Sequence, residues 1–216
     1  MHAEGPSSPS IQPLGDSALR IAAPNPARAR DAILASPPAG LLDLVCGHHT
    51  LAALFTPGTD LSRAADAIAP ALARRGLGTL HPPCTLDIPT LYGGPSGPDL
   101  LPLASSLGLS PHQLIDLHAS ASYTVRFMGF APGFAYLEGL PAQLHVQRLD
   151  SPRPRVPAGT VAIAGPYSGI YPADSPGGWR LLGRTSLTLF DPLAASPTLL
   201  QPGDRVRFVP TRVPMP

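Results

Sequence analysis

Residues 154–165 read PRVPAGTVAIAG, and this stretch decides what the second half of the chain can form. Its last part, Thr160–Ala164, is a short apolar run with a glycine on each side, which is typical of a buried strand. From Tyr123 onward glycine and proline recur every few residues, so no segment there can hold a long helix. Further short runs of the strand type are residues 124–128, 181–184, 187–190 and 205–209. Short strands at this spacing predict a small β-barrel or a closed sandwich.

Upstream of these strands, helical and extended patterns alternate. Two short helices are predicted at residues 99–107 and 111–119, and Ser110 suits the cap of the second. Nearer the start of the chain, Asn25 and Pro26 suit the cap and the first turn of another helix. The Pro/Ser-rich residues 1–13 are expected to be frayed.

The first part of the chain follows a recognisable order of elements. Strand, helix, strand, strand, helix and strand are predicted at residues 17–22, 26–34, 41–45, 51–55, 60–75 and 77–88. This order is the split βαβ arrangement of ferredoxin-like domains. We therefore predict an α+β protein with a ferredoxin-like domain at residues 1–85 and a β-barrel domain at residues 86–216.

The composition argues against several classes of partner. The net charge is +1, only 13% of residues are charged, and no cluster of Lys and Arg offers the counterion release that nucleic-acid binding requires. No window approaches the ~18 apolar residues of a membrane-spanning helix. The first residues lack the basic and apolar regions of a secretory signal. We therefore expect a cytoplasmic protein that binds neither nucleic acid nor membrane.

Metal binding is not expected either. His48 and His49 fall in a predicted hairpin turn with no third ligand nearby, whereas zinc needs three or four ligands. Cys46 and Cys84 lack the close spacing of a metal site, and we expect both thiols to be reduced.

Residues 175–179, SPGGW, form the first candidate binding segment. The glycines Gly177 and Gly178 allow backbone N–H groups to approach a phosphate or an oxyanion, Ser175 precedes them, and Trp179 offers a flat apolar wall. The alternative is a tight turn between strands with Trp179 in the core. The residues alone leave both interpretations open.

Arg155 lies in an extended, proline-flanked segment, and a guanidinium held this way suits bidentate binding of a carboxylate or a phosphate. The alternative is a solvated loop arginine. Arg184 and Thr185 end a predicted strand and are further candidates for ligand contacts. Asp99 is either a helix cap or a catalytic acid, and His118, near the end of a helix, is either a general base or a structural histidine.

Six motifs follow one another along the chain. They are residues 92–100 (YGGPSGPDL), 117–120 (LHAS), 127–137 (FMGFAPGFAYL), 154–165, 175–185 (SPGGWRLLGRT) and 200–208 (LQPGDRVRF). Together they resemble the family of B-type 5-oxoprolinase subunits, whose members have also been named KipI sporulation-kinase inhibitors and allophanate hydrolase subunit one. The chain is also similar to half of the carboxyltransferase domain of urea carboxylase. One departure is Ala135, where the family more often has proline.

The resemblance implies a ferredoxin-like N-terminal domain followed by a cyclophilin-like β-barrel. It implies a heteromer with a C-type subunit and an A-type subunit, and ATP-dependent opening of 5-oxoproline to L-glutamate. The chain has no Walker A loop, Rossmann fingerprint or G-x-S-x-G elbow, so ATP would bind without those motifs or mainly on the partner. Two other functions remain open: a KipI-like inhibitor of a sensor histidine kinase, and a component of an allophanate hydrolase or urea carboxylase-like system.

His118 and Asp99 are the candidate catalytic groups, each with the structural alternative given above. Seven residues are the candidate substrate or nucleotide contacts, namely Arg155, Ser175, Gly177, Gly178, Trp179, Arg184 and Thr185.

Overall fold

The computed structural model describes residues 10–73 and 83–212. The chain forms two compact units, Met1–Pro83 and Cys84–Pro216. The predicted domain boundary after residue 85 stays a prediction.

The described part of the first unit is a four-stranded antiparallel sheet with two helices. Its elements are β1 (Ile11–Pro13), β2 (Ala18–Ala22), α1 (Pro26–Leu34), β3 (Leu41–Cys46), β4 (Thr50–Phe55) and α2 (Leu61–Ala73). The side chain of Asn25 accepts a hydrogen bond from the N–H of Arg28 at 3.0 Å, which confirms the predicted cap of α1. Leu51, Ala53 and Phe55 alternate along β4 on the buried face.

The structure does not confirm the ferredoxin-like topology. The sheet order is β1-β2-β4-β3, so an N-terminal strand occupies the edge next to β2. That strand lies within residues 1–13, which were expected to be frayed; Pro13 is tolerated there because an edge strand does not need every N–H. Of the predicted last strand, residues 77–88, residues 77–82 lie outside the described residues. Its described end belongs to Thr85–Tyr92, a strand of the second unit.

The second unit is built on a closed barrel of seven strands, which confirms the predicted barrel and is consistent with a cyclophilin-like fold. Its strands are β5 (Thr85–Tyr92), β6 (Tyr123–Met128), β7 (Ala135–Glu138), β9 (Thr160–Ala164), β10 (Tyr167–Ile170), β12 (Arg180–Arg184) and β13 (Arg205–Thr211). The order around the barrel is β10-β7-β6-β13-β5-β12-β9, and β9 pairs with β10 to close it. Two further strands, β8 (Arg153–Val156) and β11 (Ser175–Gly177), pair with each other in a separate ribbon.

Two helices of this unit, α3 (Leu100–Ser106) and α4 (Pro111–Ser120), precede β6. Ser110 caps α4 in a capping box with Gln113, as predicted for Ser110. The predicted strand at 187–190 is wrong: it joins no strand, and only Phe190 makes an isolated bridge, with Thr198. Leu189 is buried there, so the apolar run reflects burial and not strand pairing.

Strand β9 is buried on both faces, which explains its unbroken apolar sequence. Val161 and Ile163 point into the main core with residues such as Ile88 and Leu137. Ala162 and Ala164, on the opposite face, pack in a second core with Phe134, Val156, Tyr171 and Trp179. One short strand therefore separates the main core from an aromatic layer. Within the described ranges, no helix is long and apolar enough to cross a membrane.

Candidate functional site

A pocket of about 280 Å³ opens above the second core, and we call it the aromatic pocket. Its lining consists of five rings, one arginine and a run of small or cyclic residues: Phe130, Phe134, Tyr136, Tyr171, Trp179, Arg148, Pro152, Pro176, Gly177 and Gly178. The rings meet edge to face, with centroid distances of 5.4 Å from Phe134 to Trp179 and 5.6 Å from Tyr136 to Trp179. Such pairs form stiff walls with apolar faces.

Two glycines allow the rings to pack this closely. A Cβ on Gly169 would lie 2.9 Å from the Phe134 ring and 3.1 Å from the Trp179 ring. A Cβ on Gly177 would overlap the hydroxyl oxygen of Tyr171. The small residues of β10 and β11 therefore shape the pocket as directly as its aromatic residues do.

Arg148 supplies positive charge at this pocket. Its guanidinium carbon lies 6.0 Å from the centroid of the Trp179 ring, which is a cation–π distance. The side chain is exposed, and among the described residues no carboxylate forms an ion pair with it. An aromatic slot with a guanidinium beside it suits a small flat molecule that carries an anionic group.

The SPGGW segment combines both interpretations that the sequence left open. Gly177, Gly178 and Trp179 line the aromatic pocket, and Trp179 is also buried in the second core. Ser175 begins the same strand, and its hydroxyl oxygen is buried without a hydrogen-bond partner in the described part of the chain. An unsatisfied buried hydroxyl is uncommon and costs stability, so this segment carries a polar group that the fold itself does not use.

Arg155 does not line the aromatic pocket. Its guanidinium donates from Nε to the carboxylate of Asp174 at 2.8 Å, and 76% of its side chain is exposed. Asp174 also accepts the N–H of Ala158 at 2.8 Å. That backbone hydrogen bond, followed by the one from Arg155, lowers the pKa of Asp174. The predicted anion-binding arginine is therefore paired within its own chain.

Arg184 and Thr185 line a different cavity of about 470 Å³, which we call the hydroxyl cleft. Its other lining residues are Pro89, Leu91, Ser96, Ala158, Gly159, Pro172, Ser186, Leu187, Thr188 and Thr211. Arg184 donates from Nε to the carbonyl of Ala158 at 2.9 Å, which fixes the plane of its guanidinium. Hydroxyl groups beside one arginine form a lining that suits phosphate oxygens.

Asp99 connects the start of α3 to strands β8 and β12 of the barrel unit. Its carboxylate accepts hydrogen bonds from Arg153 at 2.6 Å and from the N–H of Leu181 at 2.7 Å. Asp99 occupies the N-cap position of α3, as predicted, but its side chain makes no capping hydrogen bond. With both oxygens engaged by the strands beside α3, Asp99 is poorly placed to act as the predicted catalytic acid.

His118 is fully buried, which argues against the predicted catalytic role. Its Nδ1 lies 2.7 Å from the Tyr92 hydroxyl, and its Nε2 lies 3.0 Å from the Ser168 hydroxyl. Ser168 donates to the carbonyl of Ala162, so it accepts from Nε2–H, and Tyr92 donates to Nδ1. Burial lowers the pKa of His118 to about 3, so the ring stays neutral. It links α4 to the barrel and meets no solvent.

The sequence reasoning missed most of the pocket. Phe134, Tyr136, Tyr171 and Arg148 were not among the candidates. The available signal was the dense aromatic and glycine spacing of residues 127–137, which served only to identify the resemblance. Within residues 10–73 and 83–212, no group of His, Cys, Asp and Glu side chains could hold a metal ion.

Two curated relatives are both named as the B subunit of 5-oxoprolinase. The chain is 55% identical over 127 residues to the protein of that name from Escherichia coli O157:H7, a match that covers 59% of this chain and 58% of the relative. It is 49% identical over 124 residues to the one from Bacillus subtilis (strain 168), covering 57% of this chain and 52% of the relative. The matches thus span little more than half the length of these relatives. They confirm the resemblance to the B-type 5-oxoprolinase subunits.

Solved structures match over a longer part of the chain. The crystal structure of TTHA0988 is 38% identical with a TM-score of 0.77, covering 89% of this chain and 37% of that chain. The Kluyveromyces lactis urea carboxylase, at 17% identity and a TM-score of 0.69, shares the fold over 94% of this chain and 22% of its own. A family model matches residues 9–200, well over half of the sequence. The chain therefore belongs to the family described as the carboxyltransferase domain, subdomain C and D.

Proposed function

We propose that this chain is the B component of a cytoplasmic, ATP-dependent 5-oxoprolinase, which opens 5-oxoproline to L-glutamate together with a C-type and an A-type subunit. The shared name of the two curated relatives, at 55% and 49% identity, supports this activity. It favours the oxoprolinase over the kinase inhibitor and the carboxylating system. The chain contributes binding surfaces, and the partner subunits complete the site.

The observation that carries the proposal is the aromatic pocket with Arg148 beside Trp179. The substrate is a flat five-membered lactam with one carboxylate. The aromatic faces suit the ring, and the guanidinium suits the carboxylate. A volume of about 280 Å³ is appropriate for so small a molecule. Gly177 and Gly178 line the same pocket, and the absence of a side chain there allows a polarised lactam oxygen to approach the backbone closely.

ATP is assigned to a different cavity, the hydroxyl cleft. A lactam is a stable amide, so its oxygen first takes the γ-phosphoryl group of ATP and releases ADP. Water would then add to the activated carbon and the ring C–N bond would open to give glutamyl phosphate. A second water would hydrolyse this acyl phosphate to L-glutamate and phosphate. The hydroxyl cleft, with Arg184 and Thr185, suits the phosphate oxygens. Proton transfer falls to the partner subunits, because His118 is sealed in the barrel.

Replacement of Arg148 tests the substrate assignment. In the assembled complex, Arg148→Met keeps the apolar stem over Trp179 but removes the charge. We expect the KM for 5-oxoproline to rise about tenfold or more and the KM for ATP to stay unchanged, because a charge-assisted hydrogen bond to the carboxylate is lost. Arg207→Met, which removes another exposed arginine of the barrel, is the matched control. An unchanged KM for 5-oxoproline in Arg148→Met would exclude this assignment.

Replacement of Arg184 tests the nucleotide assignment in the same assay. Arg184→Met should raise the KM for ATP about tenfold and leave the KM for 5-oxoproline near its original value. The reverse pattern would move the substrate to the hydroxyl cleft. No change in either constant would place ATP entirely on another component of the complex.

A further inference from the structure

Phe130 has a backbone conformation that an aromatic residue rarely adopts. Its φ is +70°, and it is the one non-glycine residue with positive φ in the described part of the chain. The N–H of Ala131 donates to the carbonyl of Gly129 at 2.8 Å, which closes a three-residue turn around Phe130. A turn with this hydrogen bond and this φ is the rare, strained form of the γ-turn. For a bulky side chain such a conformation costs stability.

Burial does not repay this strain, because 60% of Phe130 is exposed. The chain places glycines at positions 129 and 133, on both sides of the turn, yet it has phenylalanine at the position where glycine would fit without strain. A simple surface turn gives no reason for this choice. The ring must therefore do something that neither the turn nor the core requires.

The position of the Phe130 ring indicates a role at the aromatic pocket. Phe130 lines the aromatic pocket, and its ring meets Phe134 edge to face at 5.2 Å and Tyr171 at 6.0 Å. Phe134 and Tyr171 are buried, so they form the floor, whereas the exposed Phe130 stands at the mouth. The strained turn directs a large apolar face toward the space where a ligand would sit.

We propose that Phe130 is a substrate-positioning residue that closes the mouth of the aromatic pocket over the ring of bound 5-oxoproline. This inference rests on the proposed function and assigns the strained turn to it. The strain is retained because a relaxed turn would carry the ring away from the pocket. Phe130 confines the lactam between its own ring and the buried aromatic floor.

Three variants distinguish the effect of the Phe130 ring from the effect of the backbone strain. Phe130→Ala removes the ring and keeps a side chain at positive φ. Phe130→Gly removes the ring and also relieves the strain. Phe130→Tyr keeps both. Leu193→Ala, which removes an exposed apolar side chain elsewhere in the same unit, is the control for nonspecific effects.

Steady-state kinetics of the complex and thermal denaturation of the chain give the two readouts. Both Phe130→Ala and Phe130→Gly should raise the KM for 5-oxoproline about tenfold with kcat changed less, and Phe130→Tyr should restore it. The Tm of Phe130→Gly should exceed that of the original chain by about 2–4 °C, because strain is released. The Tm of Phe130→Ala should not rise. A merely structural ring would instead lower the Tm in both truncations.

Two results would overturn the inference: an unchanged KM in both truncations, or a lower Tm in Phe130→Gly. Trp179 is the single tryptophan of the chain and lies in the pocket, so its fluorescence reports 5-oxoproline binding without turnover. If the original complex releases no glutamate, the proposed function fails separately. The fluorescence titration then decides on Phe130, and equal binding, or none, by the original chain and its truncations refutes the inference.

Discussion

At the scale of single residues, the hydrogen bonds of two polar side chains argue against the catalytic roles predicted for them. His118 has both ring nitrogens engaged by hydroxyl groups inside the barrel, and burial lowers its pKa to about 3. Asp99 has both carboxylate oxygens engaged by Arg153 and Leu181. These two residues were the catalytic candidates, and both are held by the fold. The groups open to a ligand are Arg148, Arg184 and the rings of the aromatic pocket.

The neutral state of His118 predicts a pH dependence of stability. The pKa of His118 is lower in the folded chain than in the unfolded chain, so below about pH 6.5 the unfolded chain binds the extra proton. The free energy of unfolding should therefore fall by about 1.4 kcal/mol per pH unit between about pH 6 and pH 4. Urea denaturation at a series of pH values measures this slope.

Replacing His118 tests whether this slope of the unfolding free energy originates from its imidazole ring. In His118→Gln the overall stability should be lower, and this component of the slope should disappear. His112→Gln is the control, because His112 is exposed on α4 and pairs only with Asp116. A slope that persists in His118→Gln would mean that another group takes up the proton on unfolding.

Asp99 carries a second prediction at this scale. Asp99→Ala leaves the half-buried guanidinium of Arg153 and the N–H of Leu181 without their acceptor, so the free energy of unfolding should fall by about 2 kcal/mol. Asp87→Ala is the matched control, since Asp87 also accepts two hydrogen bonds, both from Arg207, but at an exposed site. Its effect should be much smaller, because exposed ion pairs contribute little. Equal losses in the two variants would contradict the structural role of Asp99.

At the scale of elements, the end of strand β11 and the following Gly178 form one wall of the aromatic pocket. Neighbouring glycines of this wall differ in the space around them. A Cβ on Gly177 would overlap the Tyr171 hydroxyl, whereas a Cβ on Gly178 would lie 3.5 Å from the carbonyl of Leu149, an ordinary contact distance. This wall thus has one position fixed by packing and one that is sterically open.

This difference predicts a pair of outcomes. Gly177→Ala should lower the free energy of unfolding by about 1–3 kcal/mol, because Tyr171 must move out of its packed position. Gly178→Ala should leave stability nearly unchanged. Denaturant unfolding of the two variants measures both values. If Gly178→Ala were the more destabilising change, the described course of the ribbon would be wrong.

The elements also show how far the sequence could predict the fold. Thr160–Ala164 and three other barrel strands were predicted from short extended runs at residues 124–128, 181–184 and 205–209. The four-residue strands Ala135–Glu138 and Tyr167–Ile170 were not predicted, and Thr85–Tyr92 was assigned in part to the first domain. The strand Ile11–Pro13 was also not predicted, because a short edge strand carries no apolar alternation. The strand predicted at residues 187–190 was wrong because the apolar run there reflects the burial of Leu189. Burial alone does not produce hydrogen-bonded pairing with another strand.

The candidate site was predictable only in part. Gly177, Gly178 and Trp179 were found because adjacent glycines and a tryptophan mark a local segment. Arg148 was missed because it lies about thirty residues before that segment and is brought beside it by long-range contacts, such as the hydrogen bond from the N–H of Leu149 to the carbonyl of Gly178. Tyr171 was missed although it lies only six residues before Gly177. Arg155 was assigned to a ligand because its partner, Asp174, is 19 residues away and nothing local reveals the pair. Long-range pairing decides which arginine is left for a ligand.

At the scale of the whole molecule, the described residues that line the aromatic pocket and the hydroxyl cleft include no carboxylate and no histidine, whereas Asp99 lines a further cavity of about 430 Å³. The aromatic pocket and the hydroxyl cleft are separate cavities of the barrel unit.

The most direct test is glutamate release from 5-oxoproline and ATP by this chain combined with candidate C-type and A-type subunits, with each component omitted in turn. We predict that glutamate and ADP form in equal amounts only when all three subunits are present. An assembled complex that releases no glutamate, or one that releases it equally fast without this chain, would contradict the proposed function.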